Sequence, residues 1–158
     1  MKMLVTAVVA SLCLCAGFTQ SPSPKKEAAM SHAKGTFEVK LTPQKDDNSD
    51  PTMGRMAGDK QYHGDLEGTA TVQMLYAGNP GAKGSGGYVA IEKVTGTLQE
   101  RSGTFVLQHS GTMNKGAQQL SITVVPDSGT GQLAGISGKM EIKIVEGKHF
   151  YEFEYSSF

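Results

Sequence analysis

Within SGTFVLQHSGTM, residues 102–113, a histidine and a glutamine stand at the centre of an alternating apolar and polar stretch. An imidazole accepts, donates or shuttles a proton near neutral pH, so His109 is the foremost candidate for acid–base chemistry. Glu92, in GYVAIEKVTGTL, is the second candidate. A carboxylate facing an apolar cavity has a raised pKa and can act as a base. Plainer readings stand beside both. A buried histidine is by default a hydrogen-bonded core group, and a glutamate next to Lys93 is by default solvated. Other combinations fail on spacing. His63 and Asp65 form an H-x-D pair, but a metal needs three or four converging ligands and no third is placed, so the pair reads as a strand-end turn. KDDNSDP, residues 45–51, lacks EF-hand spacing. GNPGAKGSGG, residues 78–87, lacks the spacing and following helix of a phosphate loop, and reads as a lid or a connector. Ser110 adjoins His109, yet neighbours on a strand face opposite ways, which disfavours a Ser–His dyad. No metal site and no cofactor is therefore assigned.

The elements that must position these side chains are strands. Phe37, Val39 and Leu41 alternate with Glu38 and Lys40, and Leu66, Ala70, Val72, Met74 and Tyr76 share a face opposite Thr69, Thr71 and Gln73. The same period recurs in Leu120, Ile122 and Val124, in Met140, Ile142 and Ile144, and in Tyr151, Phe153 and Tyr155. Period two with one apolar face is the mark of a half-buried antiparallel strand. Glycine-bearing turns separate the runs, and no segment carries a capped helical period. The pattern predicts about eight strands, near 34–42, 53–62, 65–76, 87–99, 103–113, 118–125, 132–145 and 148–156. Consecutive strands joined by tight turns favour an up-and-down meander, and closure removes its edges. The fold class expected is all-β, a single antiparallel barrel, with a β-sandwich as the alternative. Alternation from Phe105 and Leu107 carries His109 and Met113 inward and Gln108 outward; a bulge would exchange Gln108 and His109. Glu92 has two registers: inward with Tyr88 and Ala90, or solvated if Val89 and Ile91 point in.

The first residues differ in kind from the rest. One lysine precedes an apolar run from Met3 to Phe18, too short for a comfortable bilayer span, and small and polar residues follow. Residues 1–20 read as a secretory signal peptide, 21–32 as a proline-bearing linker and 33–158 as the domain. The expected location is periplasmic or secreted, and cytoplasmic if Met30 is the true start. Cys13 and Cys15 lie in this leader behind Leu12 and Leu14, which do not suit lipidation. Without them the domain has no disulfide, cysteine nucleophile or cysteine-bound zinc. Lysine plus arginine balances aspartate plus glutamate at 15 each, so charge gives no case for nucleic acid as a partner. No membrane partner is expected once the leader is removed, and a homo-oligomer is left open.

AKGTFEVKLTPQ at 33–44, GYVAIEKVTGTL at 87–98, SGTFVLQHSGTM at 102–113 and VVPDSGTGQLAGISG at 124–138 closely resemble a bacterial family of unknown function, DUF3224. The resemblance covers nearly all of 33–156 and implies a small antiparallel barrel related in shape to allene oxide cyclase, a cofactor-free isomerase. It carries no activity and no residue role across, because shape alone transfers no mechanism. Three functions from different classes are expected in turn. The first is a barrel binding one small, mostly apolar ligand through Tyr76, Tyr88, His109 and Met113, with Glu92 a further member. The second is a cofactor-free isomerase or cyclase in which His109 or Glu92 moves protons. The third is a filled barrel acting as a structural or interaction module.

Overall fold

The structure, a computed structural model, describes residues 29–45 and 50–156. Eight antiparallel strands follow one another around a closed barrel: β1 (Met30–Gln44), β2 (Met53–Gly64), β3 (Leu66–Ala77), β4 (Gly86–Leu98), β5 (Arg101–Asn114), β6 (Ala117–Val124), β7 (Ser137–Val145) and β8 (Lys148–Ser156). β8 returns to β1, with Met30 opposite Ser156 and Phe37 opposite His149. The expected barrel and meander are therefore what the chain adopts, and the sandwich is set aside. The leader and residues 46–49 of the acidic loop lie outside the described residues. β1 begins at Met30, three residues inside the stretch read as linker.

Closure follows from the alternation, because each strand has an apolar face to bury and its neighbours on both sides satisfy its backbone. The register stacks inward positions into layers across the sheet. One layer runs Gly54, Tyr76, Tyr88, Gly111, Leu120; the next runs Met56, Met74, Ala90, His109, Ile122; the third runs Gly58, Val72, Glu92, Leu107, Val124. Closure is uneven at one place. β6 pairs with β5 along its whole length but meets β7 only at Thr123 and Lys139.

The largest departure from the expected boundaries is at β7, which starts at Ser137 rather than near 132. Residues 125–136 instead cross the barrel end and hold a single 3₁₀ turn, Gly131–Leu133. They take the place β6 would occupy beside the first half of β5. The Val106 amide donates to Ser128 Oγ at 3.0 Å, the Thr104 amide to Thr130 Oγ1 at 3.1 Å and the Ser102 amide to Gln132 Oε1 at 2.9 Å. Side chains of Ser, Thr and Gln thus satisfy a sheet edge that a regular strand would otherwise cover. Leu133 and Ile136 from the same segment are buried beneath the barrel.

That end is closed by rings. Tyr62 packs edge-on against Tyr151 at 5.4 Å, and Phe105, Phe153 and Tyr155 stack in series at 5.7 and 5.2 Å. The Tyr151 hydroxyl accepts the Leu66 amide at 2.8 Å, so its polar tip is satisfied inside the packing. The β4–β5 turn here is Gln99–Glu100, two non-glycine residues at φ 43° and 74°. The left-handed region costs such residues about 1–2 kcal/mol each. Gln99 offsets this by donating to the His32 carbonyl at 2.8 Å and accepting the Tyr155 hydroxyl at 2.6 Å.

Candidate functional site

The opposite end is open. A cavity of about 440 Å³ enters the barrel there, walled by Val39, Leu41, Val72, Met74, Ala90 and Ile142 among others, with Tyr76, Met113, Leu120 and Ile144 at its rim. Two of the rim and wall residues owe their places to glycines. Tyr76 lies across from Gly54 and Tyr88 across from Gly111, and a Cβ at either glycine would collide with the tyrosine ring. The glycines let both rings lie against the wall instead of filling the lumen.

The floor is polar. Glu92 is fully buried, and His109 and Lys60 are 5 % and 8 % exposed, values at which a charge must be paired. Glu92 Oε2 receives Lys60 Nζ at 2.6 Å, and Oε1 receives the Tyr62 hydroxyl at 2.6 Å. His109 Nε2 lies 3.0 Å from the same Oε2. That separation suits a hydrogen bond, while the ring's direction misses the alignment, so this buried nitrogen has no well-formed bond. A small rotation of the ring would supply it, and we treat the two groups as partners. Lys60 Nζ also sits 4.5 Å above the Phe37 ring, a cation–π contact that helps replace its lost water.

Electrostatics follow from this packing. Burial alone would push the Glu92 carboxyl up, but the contacts with His109, Lys60 and Tyr62 outweigh it and hold the group below the ordinary carboxylate value. The Tyr62 hydroxyl moves the other way: burial first, then the neighbouring Glu92 charge, pushes it well above the usual phenol value. The expectation of a raised pKa at Glu92 is thus corrected. Its oxygens already accept or face three donors, which makes it an anchor for the floor and a poor base on its own. His109 Nδ1, in contrast, has no hydrogen-bond partner among the described residues, and the ring lines the cavity. It is the floor atom best placed to take or give a hydrogen bond or a proton to a bound molecule.

The family model for the protein of unknown function DUF3224 matches residues 33–155. The chain belongs to the DUF3224 family. A crystal structure of a DUF3224 protein of unknown function from Shewanella oneidensis MR-1 is 46 % identical to it, covering 82 % of this chain and 98 % of that one, with a TM-score of 0.78. No curated protein matches the sequence.

In this DUF3224 barrel the residues singled out in the sequence come together. Tyr76, Tyr88, Glu92, His109 and Met113 all line the one cavity, Tyr76 and Met113 at its partly exposed rim. Glu92 takes the inward register with Tyr88 and Ala90, and no bulge displaces His109. His63 and Asp65 lie elsewhere, at the β2–β3 turn, where Asp65 Oδ2 accepts the Lys34 amide at 2.9 Å and His63 Nδ1 meets Glu67 at 3.1 Å. The 78–85 loop is pinned to the β5–β6 turn, where the Gly116 amide donates to the Gly84 carbonyl at 2.9 Å and the Lys115 amide to Ser85 Oγ at 3.0 Å. Lys60 and Tyr62 were missed. Period two counted back along GDKQYHG from Tyr62 puts Lys60 on the inward face, but a lysine in that phase reads as a break in an apolar pattern.

Proposed function

We propose that the protein is an exported binding barrel that holds one small, mostly apolar molecule, with a polar group of that molecule turned to His109. The observation that carries this reading is the cavity itself. It has the volume of a small-molecule site, largely apolar walls and a cluster of buried polar side chains at its floor. The filled barrel of the third expectation fits only the closed end. Export rests on the leader-like residues 1–20. The test is native and then denaturing mass spectrometry of the purified full-length protein, with His109→Ala alongside. A compound of defined mass carried by the parent protein and lost from the variant supports the reading. Absence of any bound compound across several host extracts, and no uptake of an apolar fluorescent dye, would overturn it.

The His109–Glu92 contact favours a second reading, a cofactor-free isomerase. A carboxylate behind one imidazole nitrogen leaves the other free to exchange a proton with a ligand carbon in a site shielded from water. The two readings part in heavy water. An isomerase returns its ligand with deuterium at carbon, and a binding barrel returns it unlabelled.

A further inference from the structure

β6 and β7 pair at a single position, Thr123 with Lys139, and the seam between them runs beside the cavity. Three consecutive β6 residues, Gln118, Gln119 and Leu120, line that cavity. This part of β6 is paired with β5 on one side and has no paired residue in β7 on the other, since the β6–β7 pairing is confined to Thr123 and Lys139. The two-residue turns on either side show which backbone groups that edge carries. Lys115–Gly116 lies at φ 50° and 89°, and Glu146–Gly147 at 51° and 78°. Such turns close on a mutually hydrogen-bonded pair, here Asn114 with Ala117 and Val145 with Lys148. Counting by twos, Gln119 and Ser121 bond to β5 and Lys143 and Glu141 bond to β8. Gln118 and Leu120 therefore turn their amides and carbonyls towards β7, and Ile142 and Ile144 turn theirs towards β6. Beyond Thr123 and Lys139, none of these groups has a ladder partner among the described residues.

We infer that the ligand is an elongated amphiphile reaching from His109 to the β6–β7 seam, where an uncharged hydrogen-bonding group meets the free backbone of Gln118, Leu120 and Ile142. This rests on the binding reading above and specifies its ligand. Ile122 lies opposite His109. Leu120 and Gln118 stand about 7 and about 14 Å nearer the open end, at ~3.4 Å per residue, so a medium-length chain spans the interval. The seam carries both donors and acceptors, including the Gln118 and Gln119 side chains, while Lys143 beside it is taken up by Glu152 at 2.8 Å. That chemistry suits a hydroxyl, ester or amide rather than a charged head.

Two probes test it on the full-length protein: decanol, polar at one end, and α,ω-decanediol, polar at both. Affinity is read by displacement of an anilinonaphthalene dye, and amide hydrogen exchange is read with and without each probe. The diol is the less hydrophobic molecule, so burial alone ranks it weaker. We expect it to bind about fivefold tighter, the gain from one added hydrogen bond. We also expect the Gln118 and Leu120 amides to exchange fast in the free protein and at least tenfold slower with the diol. Slow exchange at these amides in the free protein would overturn the inference, because the seam would then be closed. Tighter binding of decanol, or fast exchange unchanged by bound diol, would overturn it while leaving the binding reading in place. Failure of both probes to displace a bound dye would overturn the inference alone, and failure of the dye itself to bind would count against the binding reading as well.

Discussion

The two ends of the barrel are built from the same strands and the same alternation, yet one is packed with rings and the other is hollow. Glycine is present at inward positions of both. At the closed end Gly68, Gly96 and Gly103 stand in the layer of Tyr62, where a Cβ would meet neighbouring backbone and, at Gly103, the Leu133 side chain as well. At the open end Gly54 and Gly111 receive Tyr76 and Tyr88 against the wall, and the lumen stays free. The decisive difference comes from β8. Tyr151, Phe153 and Tyr155 project into the closed half, whereas β8 offers only His149 to the cavity lining. A barrel of this strand number is therefore filled or hollow according to which strands carry bulk at which level. The Glu92 cluster lies between the two halves, with Tyr62 below it and His109 beside the cavity.

The largest test of this contrast is Phe105→Ala. Phe105 is fully buried against Phe153, and removing the ring leaves a void that the rigid sheet cannot close. Urea unfolding is expected to show a loss of about 4 kcal/mol, with dye binding at the open end kept in the folded fraction. A loss below about 1 kcal/mol would mean that the closed end is not the packed core described.

Next comes Glu92→Gln, which breaks the boundary between the halves by leaving Lys60 buried without its counter-charge. The expected cost is about 3 kcal/mol. The variant also has a signature in pH. The folded-state pKa of Glu92 is depressed from the ordinary 4.5, so the unfolded chain binds the proton more readily. Its stabilising contribution is complete above that ordinary value and is lost as pH falls through the folded one. The parent protein is expected to weaken along this acid limb, and Glu92→Gln to show a flatter one in denaturant titrations between neutral and acid pH. Parallel limbs would remove Glu92 from the account.

Much of this arrangement was legible in the sequence because a strand's period carries phase information over its whole length. Once Phe105 and Leu107 are inward, His109 is inward too, whereas the sequence left two registers open for Glu92, and the inward one is shown by its pairing with Val72 and Leu107. What stayed hidden depends on contacts between distant strands. Lys60 reaches Glu92 from two strands away, and only the register shows that its stem runs towards the carboxylate. The 125–136 segment was equally opaque, since side-chain hydroxyls and an amide do there what a ladder does elsewhere. The thin β6–β7 seam left no trace in a strand pattern that looks as regular as its neighbours.

Gly111→Val makes the open end resemble the closed one. The new side chain meets the Tyr88 ring and drives it off the wall into the lumen. Overpacking of this kind costs about 1–3 kcal/mol, and β-branched valine suits the strand, which sets the expectation at the lower end of that range. Dye or ligand affinity is expected to fall at least tenfold, a loss that stability does not explain. A variant that binds as the parent does would show that the glycine opposite Tyr88 does not hold the cavity open.

The smallest effect on stability is expected from Tyr76→Ala. Tyr76 is 41 % exposed at the rim, and no side chain among the described residues relies on its hydroxyl for a hydrogen bond. Truncation removes area that water already partly covers, so the change in unfolding free energy is expected to stay within about 1 kcal/mol. Its effect on binding is a different matter, because a rim ring covers whatever part of a ligand rises above Ala90 and Met74. A bound molecule that loses this cover should leave faster while entering as before. Stopped-flow dye release is therefore expected to quicken severalfold, with the association rate unchanged. An unchanged release rate would place the ligand below the rim, at the level of His109, and shrink the working site to the floor and the walls around it.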